Sequence, residues 1–228
     1  VEGDRTDGRD LPAEWQAQYP EGVYIVDQAG FDALNADTER VLGLFNESHM
    51  QYEADRSNDV LGEPSLSEMV GKSIDILSQN PNGFLLIVES GRIDHAHHAG
   101  NVYGALVDTS EMAAAVQVAL NKTSSEDTLT IVTADHSHVM TMGGYAKRGN
   151  DILGKVVFVG SDEPALAADD LPYTTLTSAN GNGFHELGAE TDSDASYSQP
   201  IHLTGRVDLT SIDTTAPGFH QDALVPRS

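Results

Sequence analysis

The chain has 228 residues, with 36 acidic side chains against 12 basic ones, a formal net charge of −24 and no cysteine. The length suits one α/β domain or a large piece of one. The acidic balance argues against nucleic acid and anionic membrane surfaces as partners, the missing thiols exclude disulfides and thiolate chemistry, and no apolar run is long enough to span a membrane. Surface carboxylates in this excess fit a high-salt setting, where self-repulsion is screened, and hence a periplasmic or secreted location. The opening "VEGDRTDGRD" has no signal-peptide character and reads as a processed or truncated start.

In chain order, "GVYIV" at Gly22–Val26 reads as a short strand, and Leu34, Val41, Leu42, Leu44 and Phe45 are spaced as if to line a helix. Ser65-Leu-Ser-Glu68 is a capping-box pattern behind Pro64. Leu66, Met69, Val70, Ile74 and Leu77 then continue a helix that "NPNG" at Asn80–Gly83 ends. Phe84–Val88 is a continuous apolar run too short for a helix, as expected of a parallel strand buried on both faces.

Leu106, Met112, Ala115, Val116, Ala119 and Leu120 predict a second helix over 102–120, followed by the turn "NKTSSED" and a second apolar run, "TLTIV", at Thr128–Val132. Strand, crossover helix, strand is a βαβ unit, so an α/β fold with a mostly parallel sheet is expected. Lys155–Gly160, "KVVFVG", is a third strand candidate. From residue 161 the chain turns acidic and rich in Thr, Ser, Asn and Gly, and 161–228 reads as a surface insertion with one or two edge strands.

Both apolar runs lead straight into chemistry-bearing residues. Glu89, Asp94, His95, His97 and His98 follow the first, and Asp135, His136 and His138 follow the second. Parallel strands end on the same edge of a sheet, where open α/β folds place their ligands, so the two clusters should meet. Asp94 and His98, four apart, share a helical face and suit a divalent cation, N/O donors favouring zinc. Glu89 offers the hard oxygen that magnesium prefers. Asp135 and His136 add a second N/O pair. Helical geometry turns His97 away from the Asp94/His98 face, and His138 is either packed or supports a ligand. His49, His185, His202 and His220 have no partner at ligand spacing. Ser137 has no nucleophile elbow around it.

"VESGRIDHAHHAGN" and "TLTIVTADHSHVMTMGGY" resemble the two metal motifs of the alkaline phosphatases, in the form with His at position 95 that marks the animal-type branch and related marine bacterial enzymes. "TDGRDL", "LGLF", "PSLSEM" and "GGYAKRGNDILG" agree in order and spacing, from about Asp7 to Gly154. The resemblance implies a three-layer α/β/α sandwich, here incomplete, with 1–160 part of the catalytic domain and 161–228 a crown-like insertion of it.

It also implies two zinc ions and one magnesium: Glu89 as magnesium carboxylate, Asp94 and His98 at the first zinc, Asp135 and His136 at the second, and His95 near the phosphate. The implied reaction is phosphomonoester hydrolysis through a phosphoserine intermediate in a homodimer. The Asp-Ser-Ala motif with the nucleophilic serine is missing, as are the upstream shared Asp, the hydroxyl ligand of magnesium, the phosphate-clamping arginine and the last zinc histidine. No catalytic nucleophile is therefore expected in this chain, and the remainder of the same polypeptide is an expected partner. Rival readings are a phosphodiesterase or sulfatase relative on the same metal scaffold, and a non-catalytic acidic protein that binds calcium.

Overall fold

The computed structural model describes residues 5–138, 140–168, 170–178, 208–217 and 219. The elements in order are α1 (Leu11–Gln18), β1 (Val23–Ile25), α2 (Gln28–Ala33), β2 (Val41–Gly43), α3 (Leu66–Leu77), α4 (Arg92–His98), α5 (Val102–Lys122), β3 (Met140–Met142) and β4 (Leu176–Ser178), with a 3-10 turn at Glu53–Asn58. The chain divides into two compact units, 1–90 with 108–133, and 91–107 with 134–228.

In the first unit β1 and β2 pair in parallel, Val23 against Val41 and Ile25 against Gly43, with α2 as the crossover. This is a small βαβ unit of the α/β class. Ile25, Phe31 and Leu34 form its core, with Val41, Phe45 and Met69 packed on them. The helix expected along Leu34–Phe45 is thus corrected to a strand. The Asn35 side chain accepts the Asp37 N–H (2.9 Å) and Thr38 N–H bonds the Asn35 carbonyl (3.1 Å). That Asx turn ends the helical region and releases Val41–Gly43 to pair beside β1.

Helix α3 starts on the expected capping box: Glu68 N–H donates to Ser65 Oγ (3.2 Å) and Ser65 N–H to Glu68 Oε2 (2.8 Å). Its face of Val70 and Ile74 packs on Ala115 of α5, with Leu66, Leu86, Val118 and Ala119 around them. Glu111 on α5 accepts the Ser67 N–H (2.7 Å), and Lys122 Nζ reaches Asp75 Oδ1 (2.6 Å).

The two runs expected as buried parallel strands, 84–88 and 128–132, are not strands among the described residues. Leu85 and Ile87 are 81% and 82% exposed, Leu129 and Ile131 84% and 75%. A central strand needs backbone partners on both sides and cover on both faces. Here α3 and α5 supply one face only, and a cavity of about 200 Å³, lined by Val70, Ile74, Leu86, Met112, Val116 and Leu129 among others, lies beneath the runs.

In the second unit β3 and β4 pair antiparallel, Met140 with Ser178 and Met142 with Leu176. The expected strand at Lys155–Gly160 is reduced to single bridges, Lys155 to Thr174 and Phe158 to Ala146. The Asn150 side chain explains the interruption. Its Nδ2 donates to the Lys155 carbonyl (3.2 Å) and its Oδ1 accepts the Val157 N–H (3.0 Å), taking positions that a neighbouring strand would fill. Val156, Leu176 and Leu209 are buried. Most of 161–228, including "ETDSDASYS" and His185, His202 and His220, lies outside the described residues.

Candidate metal centre

Helix α4 follows Gly91 and ends where Gly100, at φ +67°, takes the left-handed conformation that glycine adopts at low cost. Ala96, fully buried, anchors it, and Asn101 closes the connection to α5 by accepting the Gly104 N–H on its side chain (2.9 Å). A single turn of helix thus carries Asp94 and His98, four apart, and presents them together.

His98 Nε2 lies 3.4 Å from Asp94 Oδ2. From the segment beyond the second apolar run, His138 Nε2 lies 2.5 Å from Asp94 Oδ1 and His136 Nε2 3.6 Å from the same oxygen. Asp94, His136 and His138 each offer one donor atom within 4.8 Å of the other two. Three imidazoles therefore surround one carboxylate. His138 is the best covered of them, with 17% of its side chain exposed. The rings also meet one another: His97 stacks on His138 with centroids 5.0 Å apart and planes 10° apart, while His98 and His136 meet its edge at 4.8 and 5.2 Å.

Electrostatics follow from this crowding. Burial works to raise the Asp94 carboxyl, but the His138 hydrogen bond and the neighbouring His98, His138 and His136 outweigh it and hold Asp94 below the usual carboxylate range. Burial, with repulsion from His138, lowers His97. Asp94 is thus an acceptor-only carboxylate, so His138 donates to it through Nε2–H. The donor set is one carboxylate and imidazole nitrogens, which is zinc chemistry more than calcium chemistry. The Asp94 carboxylate with the His98 and His136 imidazoles, whose Nε2 atoms stand 3.4 and 3.6 Å from its oxygens, are the groups that would hold such an ion.

Asp135 has a side chain 89% exposed; its Oδ1 accepts the His136 N–H (2.9 Å) and its Oδ2 lies 3.7 Å from His136 Nε2. His95 is half-buried, its Nδ1 3.1 Å from Arg92 Nη1. Glu89 is exposed and belongs to the first unit. The histidine that sequence reasoning valued too little is His138. The His-x-His spacing of "DHSH" was its signal, since residues two apart in extended chain face the same way.

A family model described as alkaline phosphatase matches residues 1–215. The chain is 44% identical to the chicken (Gallus gallus) tissue-nonspecific alkaline phosphatase, over 98% of this chain and 40% of that protein. It is 44% identical to the human enzyme of the same name, over 82% of this chain and 35% of that protein. The Atlantic cod (Gadus morhua) alkaline phosphatase is 42% identical over 80% of this chain and 37% of its own length. Among solved structures, the Thermus thermophilus alkaline phosphatase aligns with TM-score 0.45 at 35% identity, covering 53% of this chain and 26% of that one. The chain thus spans 35–40% of the length of these curated relatives.

Proposed function

The chain belongs to the alkaline phosphatase family, and from that premise we propose that it carries one part of a phosphomonoesterase active site. The observation that carries the reading is the convergence on Asp94 of His98, from the same helix, with His136 and His138, from a segment about forty residues away. Asp94 and His98 would hold one zinc, Asp135 and His136 the second, and Glu89 the magnesium, with His95 against the phosphate. When bound, such ions supply Lewis acidity at the phosphoryl oxygens and lower the pKa of an attacking hydroxyl.

The chain's own residues prepare the place for them. Asp94, held ionised by its imidazole neighbours, offers both oxygens at any pH near neutrality. His138 fixes the rotation of that carboxylate through its Nε2–H, a support role that leaves His98 and His136 as the ligating imidazoles. The His136 N–H bond to Asp135 Oδ1 ties those two side chains into one turn.

The nucleophilic serine, which would pass through a phosphoserine intermediate, belongs to the remainder of the polypeptide. Support for that remainder as a partner is the exposure of Leu85, Ile87, Leu129 and Ile131, apolar side chains without cover. The complete enzyme acts as a homodimer in the periplasm or outside the cell, and the net charge of −24 carried by this chain favours a high-salt setting. No described helix is long and apolar enough to cross a membrane.

The test compares the 228-residue chain with the complete polypeptide, both loaded with zinc and magnesium. The chain alone should bind zinc and release no phosphate from a phosphomonoester, while the complete protein turns it over and its Asp94→Asn variant does not. Turnover by the pure 228-residue chain, or an indifferent Asp94→Asn variant, would overturn the reading.

A further inference from the structure

We infer that Arg92 is a positioning residue for His95, holding its imidazole in the Nε2–H tautomer so that it meets the phosphate as a neutral hydrogen-bond donor. The inference rests on the reading above that His95 contacts the phosphate. It begins from one contact, Arg92 Nη1 to His95 Nδ1 at 3.1 Å, in half-buried surroundings. A guanidinium has five N–H donors, no acceptor, and does not lose its proton in proteins. The bond therefore has a single polarity: Arg92 donates and Nδ1 accepts. A ring protonated on both nitrogens could not accept it. The proton of the neutral ring then sits on Nε2, the nitrogen farther from the backbone. Which ring nitrogen carries the proton is set by the bond the other one makes.

The placement is local and follows from the helix. Arg92 opens α4 and His95 stands three residues on, at the spacing where side chains of one helical face meet. Buried Ala96 fixes the turn that carries both. An unprotonated phosphoryl oxygen accepts hydrogen bonds only, so a ring fixed with its Nε2 lone pair outward would repel it, whereas Nε2–H binds it. Arg92 thus contributes through His95.

Histidine-selective ¹⁵N spectra of the 228-residue chain at alkaline pH test this directly, with His95 identified by the resonance lost in His95→Gln. The expected pattern is an unprotonated Nδ1 and a protonated Nε2. In Arg92→Met, which keeps much of the apolar stem, His95 should become a mixture of tautomers while the helix signal in circular dichroism is unchanged. Inorganic phosphate titrated into the zinc-loaded complete polypeptide should bind about tenfold more weakly in both variants, a loss of about 1.4 kcal/mol. A protonated Nδ1 in the native chain, or an Arg92→Met variant with unaltered tautomer, overturns the inference. If His95→Gln weakens phosphate and Arg92→Met does not, the positioning role fails while the phosphate contact stands. If His95→Gln leaves phosphate binding unchanged, the phosphate contact itself fails and the inference with it.

Discussion

His138 Nε2 stands 2.5 Å from Asp94 Oδ1, joining two segments 44 residues apart through one hydrogen bond. The donor is neutral imidazole or imidazolium, the acceptor a carboxylate held below its usual range. Partners of this kind set the orientation of a metal-binding carboxylate, and their removal weakens metal affinity by about 10–100-fold. His138→Ala should lower zinc affinity by that factor, read by competition with a chromophoric chelator. Zinc-edge absorption should retain the same number of imidazole ligands. Loss of one imidazole from the zinc shell would show that His138 is itself a ligand.

Glu111 ties α5 to the first turn of α3 by accepting the Ser67 N–H at 2.7 Å. Burial pushes its carboxyl up, but the bonds from Ser67 and Ser65 and the charge of Arg56 hold it below the ordinary value of 4.5. A carboxyl whose folded pKa is depressed contributes stability that is present above its unfolded pKa and disappears as pH falls through the folded one. Glu111→Gln should therefore cost about 1 kcal/mol at neutral pH. The difference from the native chain should shrink once the pH drops below about 4.5. Urea midpoints at several pH values, with unchanged m, check both statements. A gap that widens in acid would refute them.

Ser65 closes the other side of the same helix start, with its hydroxyl on the Glu68 N–H and its own N–H on Glu68 Oε2. Ser65→Ala should destabilise the chain by about 1 kcal/mol, and Ser65→Asn by less. Thermal melts of the two variants give the comparison.

The apolar residues of the first unit divide into covered and uncovered. Ile74, 3% exposed, packs on Val70 and Ala115, and Ile74→Ala should cost about 2–5 kcal/mol. Leu85 and Ile131 have no such cover, so Leu85→Ser and Ile131→Ser should cost less than about 0.5 kcal/mol in the chain alone. The same two changes should reduce dye binding and self-association in sizing experiments, and should impair the complete polypeptide far more than this chain. Equal effects in both contexts would mean that nothing further packs on that face.

How much of this was legible in the sequence depended on how local the signal was. The capping box at Ser65–Glu68 and the spacing from Leu66 to Leu77 are short-range, and α3 formed where they pointed. The α5 pattern was equally local, and the helix runs over Val102–Lys122. Val41, Leu42, Leu44 and Phe45 misled because a helical spacing can also arise in a strand and its exit, and the Asn35 turn decided between them. Phe84–Val88 and Thr128–Val132 have the composition of buried strands, but pairing needs neighbours that composition cannot supply. Asp94 with His98 was readable from spacing alone. His138 carried only the weaker His-x-His signal of "DHSH", since its contact with Asp94 depends on how two distant segments are brought together.

The zinc site proposed at Asp94 and its imidazole neighbours is distinguishable from a diffuse acidic surface. Calorimetric titration of zinc into the 228-residue chain and its Asp94→Asn variant, each with and without excess calcium, tests it most directly. Zinc should bind the native chain at low stoichiometry, resist calcium, and lose at least about tenfold in affinity in the variant. Calcium binding in place of zinc, with no effect of Asp94→Asn, would contradict that assignment.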